Sequence, residues 1–206
     1  DMVRNWYLST DIGCAFIMLD GASHAYTVLP SEPLKALLEE MIDKFLTIDL
    51  IGIKAQTHAT LSALRGILRY LQTTGETKYL PEVERIYRLY RTRGMTENFA
   101  NYNWFERPEW TEPCAIIDSF IVAFSLWKLT GRGEYLDDAH KIYYNGMGHA
   151  QRHNGGYGCD VCAGAGHPWL HARSDLYEAT WCCTMRGGEG TARAVESTFL
   201  QDGNEL

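Results

Sequence analysis

Apolar residues recur along most of the chain at the three- and four-residue spacing of amphipathic helices. This spacing predicts five helices, over residues 33–50, 58–75, 79–94, 113–131 and 135–147, and two further helices over residues 14–28 and 191–200. Gly75 and Gly131 stand where two of these patterns stop, and glycine is the usual residue just after a helix. The alternating pattern typical of strands is scarce, so the sequence predicts an all-α fold.

An internal repeat joins two of the predicted helix pairs. The segment TGETKYLPEVERIY (residues 74–87) resembles TGRGEYLDDAHKIY (residues 130–143), with an offset of 56 residues. Each unit ends one helix, turns, and starts a returning helix, which is typical of stacked αα-hairpins in a solenoid or a closed α/α toroid. A toroid of six hairpins has twelve helices, and seven are predicted here. We therefore expect a single domain, residues 1–206, that forms part of an (α/α)6 toroid.

Two long irregular stretches interrupt the helices. Residues 95–111 are acidic and aromatic, and residues 148–180 are rich in glycine and histidine and contain Cys159 and Cys162. Long loops in a helical domain often carry function, so we expect the chemistry to lie in or beside these two stretches.

The composition and charge of the chain exclude some classes of binding partner. Hydrophobic residues make up 46% of the chain, charged residues 22%, and the net charge is −7. No basic block is present, so nucleic acid and anionic membranes are not expected partners. No apolar run approaches the ~20 residues of a membrane span. The chain starts at Asp1 without a recognisable leader, and we expect a piece of a longer, cytoplasmic protein.

The six cysteines point to metal or redox chemistry, because their spacing is unlike that of a small disulfide scaffold. Glu112 and Cys114 flank Pro113, and the residue before proline is usually extended, so both side chains can point to the same side. Together with the adjacent pair Cys182 and Cys183 they form a Glu-Cys-Cys-Cys set. Such a set suits tetrahedral zinc.

A rival set of ligands has equally good spacing. Cys159 and Cys162 form a C-x-x-C pair that could join Cys182 and Cys183 in a closed site of four sulfurs. On this hypothesis the chain is a non-catalytic helical binding module with a structural zinc ion. Trp104, in the first loop, could stack on a sugar ring, although an aromatic residue in a loop more often packs against its own domain.

A family resemblance bears on this choice. TENF (residues 96–99), WTEPCAIIDSFIVAFSLWKLTGRGEYLDDAHKIYYNG (residues 110–146) and the later WCC (residues 181–183) resemble the retaining β-L-arabinofuranosidases of glycoside hydrolase family 127. The similarity runs from about residue 58 to residue 194. Its most specific part is the combination of Glu-x-Cys at the start of a helix with a late Cys-Cys pair.

The resemblance implies an (α/α)6 barrel and a role for each matching residue. The zinc ligands would be Glu112, Cys114, Cys182 and Cys183. Cys182 would also be the nucleophile, Glu97 of TENF the acid/base, and His58 a substrate-contacting residue. The proline between Glu112 and Cys114 and the sequence after Glu97 differ from the family pattern, and the family's β-sandwich domains are not in this chain.

The resemblance therefore predicts a retaining glycoside hydrolase that cleaves a β-L-arabinofuranoside or a related plant-derived glycoside. A zinc-bound thiol is already deprotonated, so Cys182 would need no separate base. An alternative enzyme without zinc would use two carboxylates, Glu97 with either Glu109 or Glu112, as a glycosidase or lyase of the α/α-barrel class.

Overall fold

The computed structural model describes residues 10–162 and 182–199, and it describes side chains from residue 17 onward. Within these residues the prediction of an all-α fold is confirmed, since no strand is formed and pairing is limited to isolated bridges such as that between Met95 and Asn101. The helices are α1 (Thr10–Val28), α2 (Glu32–Leu46), α3 (Thr57–Thr74), α4 (Leu80–Arg93), α5 (Pro113–Thr130), α6 (Gly133–Lys141) and α7 (Cys182–Glu196).

The helices form stacked hairpins, as the repeat predicts. Helices α1 and α2, α3 and α4, and α5 and α6 pack as successive pairs, while α1, α3, α5 and α7 lie side by side. This is the arrangement of inner and outer helices in part of an α/α toroid. The repeated glycines Gly75 and Gly131 end α3 and α5 with φ angles of 74° and 69°, a left-handed conformation that glycine adopts without a steric penalty.

Helix α5 is largely buried among its neighbours. It packs against α3, α6 and α7, and its buried residues include Ile117, Val122 and Leu126. By length and composition this 18-residue helix is apolar enough to cross a membrane, and 61% of it is buried inside the domain. Contact with three neighbouring helices explains the nearly uniform apolar pattern, as in the core helix of a globular domain.

Several predicted helix boundaries are wrong, and α1 starts at Thr10 instead of residue 14. The helix predicted over residues 33–50 ends at Leu46, because Thr47 bonds back to the Lys44 carbonyl and Asp49 accepts a hydrogen bond from the Gly52 N–H in a separate turn. The helix predicted over residues 135–147 changes to a π-helical segment at Ile142–Met147, followed by one turn at Gly148–Ala150.

The last helix starts nine residues earlier than the predicted residue 191, at Cys182. The glycines after the cysteine pair therefore lie inside a helix, although the sequence suggests a turn there. Two of them, Gly187 and Gly190, are buried, and a Cβ atom at either position would overlap Tyr157 or Ile117 respectively. Glycine occupies these two positions because the helix packs closely against Tyr157 and Ile117, and not because the chain reverses direction there.

Candidate metal centre and active site

The candidate site lies where the starts of α3, α5 and α7 meet. His58 is the second residue of α3, Cys114 is the second residue of α5, and Cys182 is the first residue of α7. The possible ligand atoms of His58, Glu112 and Cys114 lie within 4.8 Å of one another. His58 and Cys114 therefore lie at the same end of the helices.

Three thiols meet at this end. The Sγ atom of Cys114 lies 3.7 Å from that of Cys182 and 4.0 Å from that of Cys183. In a tetrahedral zinc site with Zn–S bonds of ~2.3 Å, two sulfurs lie about 3.8 Å apart, so the observed spacing fits a shared metal ion. Cys114 belongs both to this thiol group and to the group with His58 and Glu112. The described residues thus form a Cys/His/Glu cluster with the composition and spacing of a metal centre.

Cys159 also approaches this cluster, as the rival set of ligands predicts for this residue. Its Sγ atom lies 3.9 Å from that of Cys183. Cys162 is not a member of either ligand group among the described residues, and its backbone N–H donates to the Glu109 carbonyl at 3.0 Å. The rival set of four sulfurs is therefore not assembled among the described residues, and the Glu-Cys-Cys-Cys set has Cys159 as an additional neighbour that it did not include.

The two adjacent thiols of α7 have different surroundings. Cys183 is buried, and hydrogen bonds from Cys114 and Cys159 lower the pKa of its thiol. Cys182 is exposed to solvent on one side; partial burial and the charge of Cys183 raise the pKa of the Cys182 thiol. The surroundings of Cys183 thus favour a thiolate more than those of Cys182 do. A cation among the sulfurs would favour a thiolate at Cys182 as well.

Glu112 is held by amide groups beside the thiols. Its Oε2 atom accepts a hydrogen bond from Gln56 Nε2 at 3.3 Å. The Asn103 amide oxygen accepts from the indole N–H groups of Trp110 (2.9 Å) and Trp104 (3.2 Å), and in this orientation its nitrogen donates to Glu112 Oε2. Burial raises the pKa of Glu112 to about 7. A cation that replaced the proton would stabilise this carboxylate.

Trp104 has a structural role in this arrangement. Besides its hydrogen bond to Asn103, its ring is covered on one side by the Arg107 guanidinium, 5.8 Å from the ring centroid. Trp104 therefore supports the side chain that holds Glu112. Its predicted contact with a sugar stays a prediction.

Glu97 is not part of the thiol cluster. It lies in the loop between α4 and α5, is exposed, and makes no hydrogen bond or ion pair with another described residue. It lines a cavity of about 490 Å³ together with Tyr102, Asp160 and Cys162. The wall of this cavity also includes Thr111, the neighbour of Glu112 in the sequence. The role of Glu97 as acid/base stays a prediction.

A buried network of charges that the sequence analysis missed lies directly behind the cluster. Asp118, one turn after Cys114 on α5, is fully buried and accepts hydrogen bonds from His58 Nδ1 (2.7 Å), Ser62 Oγ (2.8 Å) and Arg65 (2.7 Å), and from Arg186. Burial alone would raise the pKa of Asp118, but the hydrogen bond from His58 and the charges of the two arginines hold it well below its usual range.

Glu189 closes this network from α7. It accepts from Arg65 at 2.8 Å and also pairs with Arg186 on its own helix. A signal was present in the sequence, since Asp118 is the one acidic residue in the otherwise apolar helix PCAIIDSFIVAFSLWKLT, and a buried carboxylate normally has partners.

Helical spacing explains why two cysteines stand side by side. Cys182, Arg186 and Glu189 follow one another at intervals of four and three residues, so they form one stripe, which faces Asp118 and Arg65. Residues 183, 187 and 190 form the adjacent stripe and are the buried residues of α7. Each cysteine thus begins a different face of the helix, one polar and one closely packed.

Comparison with known families points in the same direction as these residues. A sequence profile described as the β-L-arabinofuranosidase GH127 catalytic domain matches residues 47–196. This range contains His58, Glu97, Glu112 and the four clustered cysteines. No curated protein is significantly similar in sequence.

Solved structures with similar folds include glycoside hydrolases and a protein named without a function. A family 76 glycoside hydrolase from a bovine Bacteroides thetaiotaomicron strain has a TM-score of 0.60 at 12% identity, over 73% of this chain and 36% of that protein. The family 76 mannosidase Bt3792 from Bacteroides thetaiotaomicron VPI-5482 has a TM-score of 0.55 at 17% identity, over 71% and 44%.

The Lin0763 protein from Listeria innocua has a TM-score of 0.58 at 15% identity, over 95% of this chain and 61% of that protein. At these identities the likeness concerns the fold. The chain spans less than two thirds of the length of each of these proteins.

Proposed function

Because the chain belongs to the family of β-L-arabinofuranosidase catalytic domains known as GH127, we propose that it is the helical part of a retaining glycoside hydrolase. The proposed substrates are β-L-arabinofuranosides or related plant-derived glycosides. The proposal is supported mainly by the convergence of Cys114, Cys182 and Cys183 beside Glu112 and His58 at the starts of neighbouring helices.

We propose zinc as the cofactor. Three thiols and a buried carboxylate form a donor set that favours zinc over harder cations. The ligands would be Glu112, Cys114, Cys182 and Cys183. Bound zinc would keep these thiols deprotonated near neutral pH. The spacing of the sulfurs supports such a site, and the buried Glu112 carboxyl beside them has a raised pKa, so a bound cation would stabilise its ionised form.

The chain's own residues would then carry out a double displacement. The Cys182 sulfur attacks the anomeric carbon while the carboxyl group of Glu97 gives its proton to the departing oxygen, so a C–S bond forms as the C–O bond breaks. In the second step Glu97 takes a proton from water, the water oxygen attacks the same carbon, and the C–S bond breaks. Two inversions at one carbon give net retention.

The position of Cys182 suits this role better than that of Cys183. Cys182 is exposed, whereas Cys183 is buried against the other side of the helix. His58, at the edge of the same cluster, would contact the sugar through Nε2, since its Nδ1 atom is bound to Asp118. The assignment of Glu97 rests on the TENF motif, since its side chain makes no contact with the thiols in the described structure.

The alternative with two carboxylates has less support. Glu109 is held by Arg107 through contacts of 2.7 and 2.8 Å, which keeps its charge paired. Glu112, with a pKa near 7, could act as an acid, but it is enclosed by Gln56, Asn103 and the thiols. The position of Glu112 is better explained by ligation of a cation.

The direct test is hydrolysis of an aryl β-L-arabinofuranoside by the 206-residue chain and by variants matched in residue type. Cys182→Ser should abolish turnover, while Cys162→Ser, which alters a buried thiol outside the cluster, should retain it. Glu97→Gln should lower kcat by about 10²- to 10⁴-fold on a substrate with a poor leaving group. Glu106→Gln, in the same loop, should have little effect.

The leaving group separates the two proposed roles. A nitrophenolate needs no protonation, so it should partly rescue Glu97→Gln but not Cys182→Ser. Active Cys182→Ser protein, or product of inverted configuration, would rule out the thiolate mechanism. If the wild-type chain is inactive, covalent labelling of Cys182 by an electrophilic arabinofuranose analogue, located by mass spectrometry, tests the same assignment.

A further inference from the structure

The Asp118 carboxylate connects the candidate site to three helices. It lies on α5 and contacts His58 on α3 and Arg186 on α7, so it touches both helices that face Cys114 across the site. Its side chain has no exposure to solvent. A fully buried carboxylate with four donors is a fixed acceptor, since no water competes for its oxygens.

This contact determines the proton position on His58. An ionised carboxylate can only accept hydrogen bonds, and the neighbouring arginines keep Asp118 ionised. The Nδ1 atom of His58, 2.7 Å from Asp118 Oδ2, must therefore carry a proton. The other ring nitrogen, Nε2, is therefore the one available to the site that contains Glu112 and Cys114. Rotation of the ring would break the hydrogen bond to Asp118.

The same carboxylate fixes the rotation of α7. Arg186 stands one turn after Cys182 on the same stripe and binds Asp118, while Glu189, at the next position of that stripe, binds Arg65 of α3. A rotation of α7 that brought Cys183 to the solvent side would separate both pairs. The same rotation would also separate Gly187 from the ring of Tyr157, against which Gly187 packs closely.

We propose that Asp118 is the positioning residue of this site, which directs Nε2 of His58 towards the bound sugar and holds α7 so that Cys182 faces the substrate. This inference rests on the proposed function, because it assigns His58 and Cys182 to the sugar pocket. Asp118 itself acts only through these two side chains.

A double-mutant cycle in the 206-residue chain tests the effect through His58. Asp118→Asn should lower kcat/KM about 10- to 100-fold, the size typical when a residue that orients a functional histidine is removed. In a His58→Gln background the same substitution should have a smaller effect, because only its effect through Arg186 and α7 remains. Equal fold-changes in the two backgrounds would show that Asp118 does not act through His58, and would overturn that part of the inference.

Asp138 provides the matched control. It is a second buried aspartate and lies on α6. Tyr87 (3.1 Å) and Arg91 (2.9 Å) bind its carboxylate, and neither of these residues belongs to the thiol cluster. Asp138→Asn should also destabilise the fold, but kcat/KM per folded molecule should stay at the wild-type level. Loss of activity in both variants in proportion to the loss of stability would contradict a specific role of Asp118.

Two measurements keep the inference testable if Asp118→Asn does not fold or if the chain does not hydrolyse glycosides. Long-range ¹H–¹⁵N correlation spectra of the wild-type chain, with His58→Gln for assignment, should show a proton on Nδ1 of His58. Arg186→Gln should change the rate at which iodoacetamide alkylates Cys182, while Arg193→Gln, on the exposed end of the same helix, should not. An unprotonated Nδ1, or equal alkylation rates, overturns the inference without bearing on whether the enzyme is active.

Discussion

The Sγ atoms of Cys114 and Cys182 lie 3.7 Å apart, although the two residues are separated by 68 positions in the sequence. Cys114 opens α5 and Cys182 opens α7, so the packing of these two helices brings the thiols together. No disulfide joins them among the described cysteines. Two unbonded sulfurs at the edge length of a tetrahedral zinc site make metal binding the property to test first.

Zinc content should depend on Cys114 and not on Cys162. Both residues are buried thiols, but only Cys114 belongs to the cluster. We expect the wild-type chain to bind one equivalent of zinc, and Cys114→Ser to lower its affinity by at least about 10-fold, since a hydroxyl is a poor replacement for a soft thiolate. Cys162→Ser should bind like wild type. Metal analysis after dialysis against a graded chelator measures both variants.

The same variants test the closed site of four sulfurs. In that alternative Cys159, Cys162, Cys182 and Cys183 hold zinc, so Cys162→Ser would lose the metal and Cys114→Ser would keep it. Cys159→Ala adds a further distinction, since Cys159 contacts Cys183 but lies outside the thiol group of Cys114. We expect it to retain zinc, and loss of the metal from this variant would place Cys159 among the ligands.

The sequence predicts those parts of the fold that local patterns determine. Helices α3 and α5 end where predicted because Gly75 and Gly131 take the left-handed conformation that stops a helix. The π-helical segment at Ile142–Met147 has no signature in the local pattern, and it packs closely against a distant loop. A Cβ atom at Gly146 would overlap the Phe99 carbonyl, so glycine is required by a loop more than 40 residues away.

The candidate site was predictable in its ligands but not in what supports them. The types and spacing of Glu112, Cys114 and the vicinal cysteines indicate a metal set, and their side chains do converge. Asp118 and Arg186 are also at helical spacing from Cys114 and Cys182, but their pairing depends on the rotation of two helices about their axes. Cys159 reaches Cys183 through a loop whose path no local pattern determines.

The stabilisation that Asp118 gives should vanish in acid. Its pKa is lower in the folded protein than in the unfolded chain, so its contribution is present above pH ~4 and is lost as the pH falls through the folded-state pKa. Asp118→Asn should therefore reduce the free energy of unfolding by about 3–5 kcal/mol near pH 7, as when a buried ion pair loses one partner, and by progressively less as the pH falls below ~4 towards the folded-state pKa. Urea unfolding with chelator present measures this difference.

Asp138 should show the opposite trend. Burial raises its pKa, so ionisation is less favourable in the folded protein than in the unfolded chain. The wild-type protein should therefore gain stability relative to Asp138→Asn as the pH falls through the folded-state pKa of Asp138. If the two variants change in the same direction with pH, the buried network around Asp118 does not have the charges assigned to it.

Adjacent glycines in α7 should respond in opposite ways to alanine. A Cβ atom at Gly187 would overlap the ring of Tyr157, whereas one at Gly188 would meet no atom within 4 Å. Gly188→Ala should raise the free energy of unfolding by about 0.5–1 kcal/mol, because alanine loses less conformational entropy in a helix. Gly187→Ala gains the same amount, but the forced separation from Tyr157 should cost about 1–3 kcal/mol and leave it less stable than Gly188→Ala.

Because Gly187 is four residues after Cys183, we also expect Gly187→Ala to weaken zinc binding and Gly188→Ala to leave it unchanged. Equal stability and equal zinc affinity in the two variants would show that α7 does not pack through its glycine stripe, and the orientation of Cys182 and Cys183 would need another explanation.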